Sequence, residues 1–194
     1  MCRRFYVFLA LVPLLAACSS VYHPLKDGVG FTDVPVGTDN FQITFAGDAN
    51  MPVAEARRYA LLRASELAAL RSDPYFQIVD ERILLSYGEQ YYPGDNTRFV
   101  ETVNDRHGRE HPFVTHFYEP GYMEHYVIPE VTMQVHLQAD AADNTIPASY
   151  LLNQAVAEKI KLSPGIEERL ATLPGGDAAV TIPPAPAPTT KPAP

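Results

Sequence analysis

A stripe of small residues limits the architecture of this chain more than any other feature. Ala60, Ala64 and Ala68 recur at every fourth position, and with Val53, Ala56 and Leu67 they follow the 3.6-residue period of a helix. A helix with so shallow a face can lie close against a sheet. The pattern predicts a helix from about Met51 to Arg71, with Asn50 as N-cap and Pro52 in the first turn, where a missing N–H is harmless. Asp73-Pro74 ends it, because the residue before a proline avoids the helical region. On its N-terminal side, Phe41-Gln42-Ile43-Thr44-Phe45 alternates apolar and polar, as a half-buried strand does. On its C-terminal side, Phe76-Gln77-Ile78-Val79 starts a strand that continues through Ile83-Leu84-Leu85.

Gly88 to His111 is polar and contains Pro93-Gly94, and reads as an extended hairpin loop. Strands follow at Phe113 to Tyr118 and Tyr126 to Leu137, where Val131, Met133, Val135 and Leu137 alternate with polar residues and Pro129 suggests an edge or bulge. A second helix, about Ala148 to Lys161, carries Leu151, Leu152, Ala155, Val156 and Ile160 at helical spacing. The order gives an α+β fold: a mostly antiparallel sheet of about four strands with two helices packed on one face. Val21 to Asn40 reads as a loop. Pro183 to Pro194 contains six Pro, three Ala, two Thr and one Lys, and reads as a disordered, polyproline-prone tail that reaches about 35–40 Å when extended.

The N-terminus carries an address. Arg3 and Arg4 precede an apolar run from Phe5 to Leu15, then Leu15-Ala16-Ala17-Cys18 and Ser19-Ser20. A charged start, a short apolar core and small residues before a cut mark a secretory signal. The run is shorter than the ~20 residues needed to cross a bilayer as a helix. Ending on Leu-Ala-Ala-Cys, it is a bacterial lipobox. A signal peptide over 1–17 is therefore expected to be removed, and Cys18 to carry a diacylglycerol thioether and an acyl group such as palmitate on its new amine. Several acyl chains hold a protein on a membrane where one holds only marginally. Ser19 rather than Asp after the lipidated cysteine implies the outer membrane, with the chain facing the periplasm. The expected organisation is a lipidated N-terminus and linker at 18–40, the α+β domain at 41–162 and a Pro/Ala-rich tail at 163–194.

Charge and cysteine content narrow the functions. Loss of 1–17 leaves 13 basic residues of 15 against 23 acidic, moving the formal net charge from −8 to −10. A body this acidic is repelled by phosphate backbones, so no nucleic-acid partner is expected. Cys2 leaves with the signal, and an acylated Cys18 has no thiol, so no disulfide within the chain is expected.

The stretch from Gly30 to Val79 resembles a family of small, uncharacterised bacterial lipoproteins. The resemblance rests on Gly30-Phe31-Thr32-Asp33, on Phe45-Ala46-Gly47-Asp48 after the first strand, on Leu61-Leu62-Arg63-Ala64-Ser65-Glu66-Leu67 in the helix, and on Tyr75-Phe76-Gln77-Ile78-Val79. It covers under half of the chain from Cys18. The chain departs from the pattern at Asp48, at Ser65, and at Ser72-Asp73-Pro74, where members have a Gly-containing turn. The resemblance implies location and fold, and no activity.

Candidate chemistry is sparse. His107-Gly108-Arg109-Glu110-His111 fits the His-x-x-Glu-His string of inverted zinc peptidases, which needs both imidazoles on one helix face. Gly108 inside and Pro112 after it favour a loop instead. His107 and His111, with His116 near, stay candidates for a metal-binding or sensing site. Arg63 and Glu66, three apart, are placed to pair or to cap a neighbouring loop. Asp80 and Glu81 are neighbours on a strand and point to opposite faces, so they cannot form a hydrolytic carboxylate pair. Tyr91, Tyr92, Tyr118 and Tyr122 cluster around the polar stretch and offer flat apolar faces with polar tips, suited to docking a protein or stacking a sugar. The sequence thus favours a non-enzymatic envelope lipoprotein that binds or scaffolds, needing no cofactor beyond the lipid on Cys18. Its partners would be the membrane through that lipid and an envelope protein or peptidoglycan. A metal-binding role at His107 and His111 is the alternative, and an envelope hydrolase the third.

Overall fold

A computed structural model describes residues 22–104, 106–174, 180 and 182–191, with the backbone alone at 104, 111 and 113. In chain order the elements are β1 Gly30–Pro35, β2 Asn40–Ala46, α1 Val53–Arg71, β3 Tyr75–Tyr92, β4 Asp95–Asn104, β5 Glu110–Glu119, β6 Tyr122–Gln138, β7 Ile146–Pro147, α2 Ala148–Ala157, α3 Ile166–Leu170 and β8 Thr189–Thr190. The main sheet runs β1-β2-β6-β3-β7, all antiparallel, with β8 added parallel to β3; β4 and β5 form a separate pair. The α+β class holds, but the sheet has six strands rather than about four and is mixed.

One face of the sheet is apolar. Phe41, Ile43 and Phe45 of β2 and Val131, Met133, Val135 and Leu137 of β6 are buried. The opposite face is polar, with Thr44 and Thr132 hydroxyls 3.3 Å apart and Gln138 donating to Gln77 at 3.3 Å. That division is what period-two alternation dictates. α1 packs on the apolar face against β2, β3 and β6, while α2 and α3 lie against α1. Sandwiched this way, α1 buries more than the Ala stripe: Leu61, Leu62, Ser65, Glu66 and Ala69 are buried too.

β3 changes parity along its length. Phe76 and Ile78 face the core at even positions, whereas Glu81 and Ile83 do so at odd ones. A bulge makes the switch: Ile78 pairs with Val135 and Asp80 with Gln134, which leaves Val79 unpaired and 61% exposed. Pro129 also has a physical place. Leu85 turns its carbonyl to Lys191 N–H at 2.9 Å and Pro129 turns its own to Gly47 N–H at 2.8 Å, so the opposed pair exchanges no bond and the missing N–H breaks no rung.

Four expectations need correction. The segment 21–40 is not simply a loop: β1 pairs along β2, and Tyr22 and Phe31 are buried. Asn50 does not cap α1. The first helical residue follows Pro52, and Asn50, at φ 64°, instead bonds Val127 through its N–H at 2.8 Å and its side-chain oxygen at 3.3 Å. Helical structure includes a third helix, whose Ile166 is fully buried. The described part of the Pro-rich tail is not disordered. Arg57, held by Glu81 at 2.7 and 2.9 Å, donates to the Pro183 carbonyl at 2.7 Å, and Thr189–Thr190 pairs with Leu84 and Leu85. An extended proline-rich chain is already close to strand conformation, and the free edge of β3 supplies the backbone partners.

A buried polar network joins α1 to both ends of the body. Glu66 is fully buried and accepts from Arg63 at 2.8 Å, from the Ser163 N–H at 2.6 Å and from the Ser163 hydroxyl at 2.7 Å. Arg63 also donates to Asp33 on β1 at 2.8 Å, with its guanidinium carbon 4.5 Å from the centre of the Phe31 ring. Burial opposes the charge on Arg63, but its hydrogen bonds to Glu66 and Asp33 outweigh that and raise its pKa. Burial, then the Glu66 charge beside it, pushes the Tyr22 hydroxyl well above the usual tyrosine value.

Two substitutions test this frame in opposite directions. Glu66→Ala leaves Arg63 short of one partner and Ser163 of its acceptor, and should lower unfolding free energy by about 3–5 kcal/mol in urea titration. Ser72 ends α1 in the left-handed region at φ 66°, where an L side chain is strained, and its exposed hydroxyl accepts from Arg169 at 3.3 Å. Ser72→Gly should raise stability by about 0.5–1 kcal/mol in the same titration.

Candidate functional site: a two-stranded arm

β3 and β6 outrun the sheet. β2 ends opposite Glu130 and β8 opposite Leu85, so Ser86 to Tyr92 and Tyr122 to Ile128 pair as strands with each other, over seven residue pairs, with Asn50 bonded to Val127 at the base. At ~3.4 Å per residue this ribbon is about 24 Å long. Its two strands then pass through Pro93-Gly94 and Pro120-Gly121, and β4 and β5 continue as a second ribbon of ten pairs, about 34 Å at the same rise. The expected loop from Gly88 to His111 is therefore mostly strand. It is polar because a two-stranded ribbon has water on both faces, so polarity there does not signify a loop.

The joint between the ribbons is tight. A Cβ on Gly94 would lie 2.2 Å from the Glu119 carbonyl oxygen and 2.6 Å from the Gly121 nitrogen, and one on Gly121 would lie 2.4 Å from the Tyr91 hydroxyl. Only glycine lets the two strands approach so closely under that ring. Farther down, Tyr126 covers Gly88, where a Cβ would fall 2.3 Å from the tyrosine ring.

The structure brings all four candidate tyrosines to this joint. Tyr91 and Tyr92 enter it, Tyr118 stands one residue before the end of β5, and Tyr122 leaves it on β6. Tyr92 and Tyr122 stack at 5.1 Å with an 18° interplanar angle. The Tyr92 hydroxyl is hydrogen-bonded to the Glu124 carboxylate, which raises its pKa above the usual tyrosine value. Tyr91 projects from the other face opposite Met123, so the aromatic groups surround the arm rather than paving one side. Tyr118 is 72% exposed. Tyr87, in the same tyrosine cluster of the sequence, is exposed too, and sequence reasoning missed the rest of the apolar surface: Phe99, Val100, Val103, Phe117 and Met123 are exposed. The signal available was the repeated Pro-Gly, once before and once after the hidden strands.

The other candidates do not assemble. Residues 106–108 turn and β5 begins at Glu110, so His107 and His111 are not one helical turn apart, and the backbone of His111 pairs with Val103. Among the described residues no group of three or more His, Cys, Asp or Glu converges. Glu81 faces the core on Arg57, and Asp80 faces away, 3.4 Å from Arg82. A cleft of about 490 Å³ lies between α1, α2 and the tail, lined by Val53, Leu61, Tyr150, Leu151 and Ile182. Its two arginines, Arg57 and Arg58, are already engaged by Glu81 and Glu158. Cys18 lies outside the described residues, among which no helix is long and apolar enough to cross a membrane.

Comparison of the chain with protein-family models, with curated proteins and with solved structures returns no match.

The joint yields a local test. Gly121→Val should drive Tyr91 off the joint, so the amides of Tyr91, Tyr92, Gly94, Glu119 and Tyr122 should lose hydrogen-exchange protection by about tenfold, equivalent to ~1.4 kcal/mol. Amides of α1 and β2 should keep theirs.

Proposed function

We propose that the chain is a lipid-anchored envelope lipoprotein, held on the outer membrane through Cys18 and facing the periplasm, whose role is non-catalytic binding or scaffolding. The arm is its docking element. The observation that carries this reading is the ring of exposed tyrosines at the arm's joint, on a ribbon that has left its own core. Exposed aromatic surface of this extent, raised on a protruding element, marks interaction sites on proteins that otherwise bury such groups. The lipobox supports the location. An acidic body repels an anionic surface, which leaves the arm free to meet a partner in the aqueous layer. The partner class is an envelope protein or peptidoglycan, whose sugar rings stack on tyrosine faces as protein side chains do. No step of catalysis is assigned.

The test begins with the native chain and a Cys18→Ser variant, followed by palmitate labelling, the intact mass of the mature N-terminus and separation of the two membranes. A labelled chain in the outer membrane, with label and membrane lost in the variant, is expected. An unlabelled native chain free in the periplasm would overturn the anchor. Cross-linked partners and sacculus binding are then compared between the native chain and a Tyr91→Ala/Tyr118→Ala variant. The double change should reduce capture at least tenfold, while the amides of α1 and β2 keep their hydrogen-exchange protection. Unchanged capture would remove the arm from the reading.

A further inference from the structure

The described residues begin at Tyr22, and Tyr22 is fixed to the body. Its ring is buried, with its centre 4.9 Å from that of Phe31 and 5.7 Å from that of Tyr59. The place where the chain leaves the body toward Cys18 is therefore defined. Four residues further back stands Cys18, and a chain in any conformation covers at most about 14 Å in four residues. A lipid on Cys18 thus keeps this face within two screening lengths of the headgroups, each about 8 Å at physiological salt. Whatever chemistry surrounds Tyr22 meets the membrane.

That chemistry is cationic and apolar in an otherwise acidic chain. A hollow of about 270 Å³ brings Tyr22, His23 and Pro24 against Lys161, Leu162 and Pro164, from a distant part of the sequence. Lys26 follows in a turn closed by hydrogen bonds to Val29, and Lys159 stands two residues before Lys161. All three lysines are exposed, and the sequence holds only four. Residues 22–29 and 159–164 carry these three lysines and Asp27, a net of +2. The chain from Cys18 totals −10, so −12 falls on the rest. Other acids close by are engaged: Asp33 and Glu66 share Arg63, and Glu158 faces Arg58. Glu167 and Glu168 lie on α3, which runs to the other end of α1, where Arg169 donates to the Ala69 carbonyl at 3.3 Å. Leu25, 49% exposed, sets an apolar side chain beside Lys26, and apolar groups among lysines suit a lipid interface. Each lysine near an anionic leaflet strengthens attraction by about fivefold. The acidic remainder is repelled, so both effects turn the same face toward the membrane.

We propose that this face is a membrane-contact surface, on which Lys26, Lys159 and Lys161 engage anionic phospholipid headgroups and fix the orientation of the anchored body. The inference rests on the anchor reading, because the lipid on Cys18 is what makes the tether short.

Fluorescent labels on the full, lipidated chain test it. Under the anchor reading Cys2 is removed and Cys18 acylated, so an introduced cysteine is the single thiol. Leu25→Cys places the label on the face. Ala141→Cys places a reference label in the exposed loop after β6, at the end of the sheet opposite Gly30. Each chain is reconstituted in vesicles of phosphatidylcholine, with or without phosphatidylglycerol, that carry a headgroup-bound quencher, and the vesicles are floated. With phosphatidylglycerol, the label at 25 should be quenched at least about threefold more than the label at 141. That difference should fall by more than half in ~1 M salt, where the screening length is about 3 Å. It should fall likewise in a Lys26→Gln/Lys159→Gln/Lys161→Gln chain. Equal quenching at the two positions overturns the proposal, as does a difference that persists in full in high salt or without phosphatidylglycerol. The salt and lipid series leave the lysines in place, so they decide the matter even where the triple variant fails to fold. A chain that floats with neither vesicle is unlipidated, which overturns the anchor reading and this proposal with it.

Discussion

Glu66 is the constraint around which the body is arranged. A carboxylate with no exposure is costly to desolvate, and several kcal/mol of hydration are recovered only when its oxygens are fully bonded. Here one oxygen takes the Ser163 N–H while the other takes Arg63 and the Ser163 hydroxyl. Arg63 in turn needs Asp33 and packs over Phe31. Satisfying one buried charge thus requires β1 on one side of α1 and the segment after α2 on the other. An apolar residue at 66 would also fit a core, so the network adds selectivity of arrangement more than stability. Glu66 is satisfied when these distant segments meet, and a misplaced β1 or a shifted 163 loop leaves a charge stranded.

The same geometry gives physical content to the resemblance read from the sequence. Two of the stretches that carry it, Gly30-Phe31-Thr32-Asp33 and Leu61-Leu62-Arg63-Ala64-Ser65-Glu66-Leu67, touch through Asp33, Phe31, Arg63 and Glu66. Asp33, Arg63 and Glu66 are thus engaged with one another inside the body, whereas the exposed aromatic groups lie on the arm.

How much was legible depended on whether a segment has one dry face. The strand at 41–45, the helix up to Arg71 and the alternating end of β6 each bury one side, so their periods survive in the sequence. Tyr87 to Phe117 buries neither side, and its alternation carries no apolar-to-polar contrast to read. β1 escaped notice because Gly30, Asp33 and Pro35 look like turn residues, although Phe31 is buried and the strand lies on an edge where proline is tolerated. The bulge at Val79 was readable in principle: Phe76 and Ile78 share one parity, Ile83 and Leu85 the other, and only an extra residue reconciles them on one face. The tail was misread for a different reason. Composition says that Pro183 to Thr190 cannot make a core, and it makes none; what it does is lie on Arg57 and on an edge of β3 that no composition reveals.

The arm and the body therefore obey different rules. In the body, each buried polar group has its partners named by neighbouring elements, and a change at Glu66 or Arg57 is felt across the fold. In the arm, beyond the two hydrogen bonds between Asn50 and Val127 at its base, stability comes from contacts between its strands, such as Tyr92 on Tyr122 and Phe99 beside Phe117, and each such pair contributes roughly 0.2–1 kcal/mol. A long ribbon held by so little is a poor scaffold for positioning catalytic groups, which need rigid supporting contacts. It is well suited to being completed by something else: its edge supplies backbone bonds and its rings supply area, and both are gained only on contact. The glycines of the joint serve that use, because they let the ribbon pass from one half to the other without a side chain in the gap, while Tyr91 closes over it. An element built in this way gains stability on contact, and that is the physical argument for the proposal that recognition lies in the arm, with the body as the part that holds it.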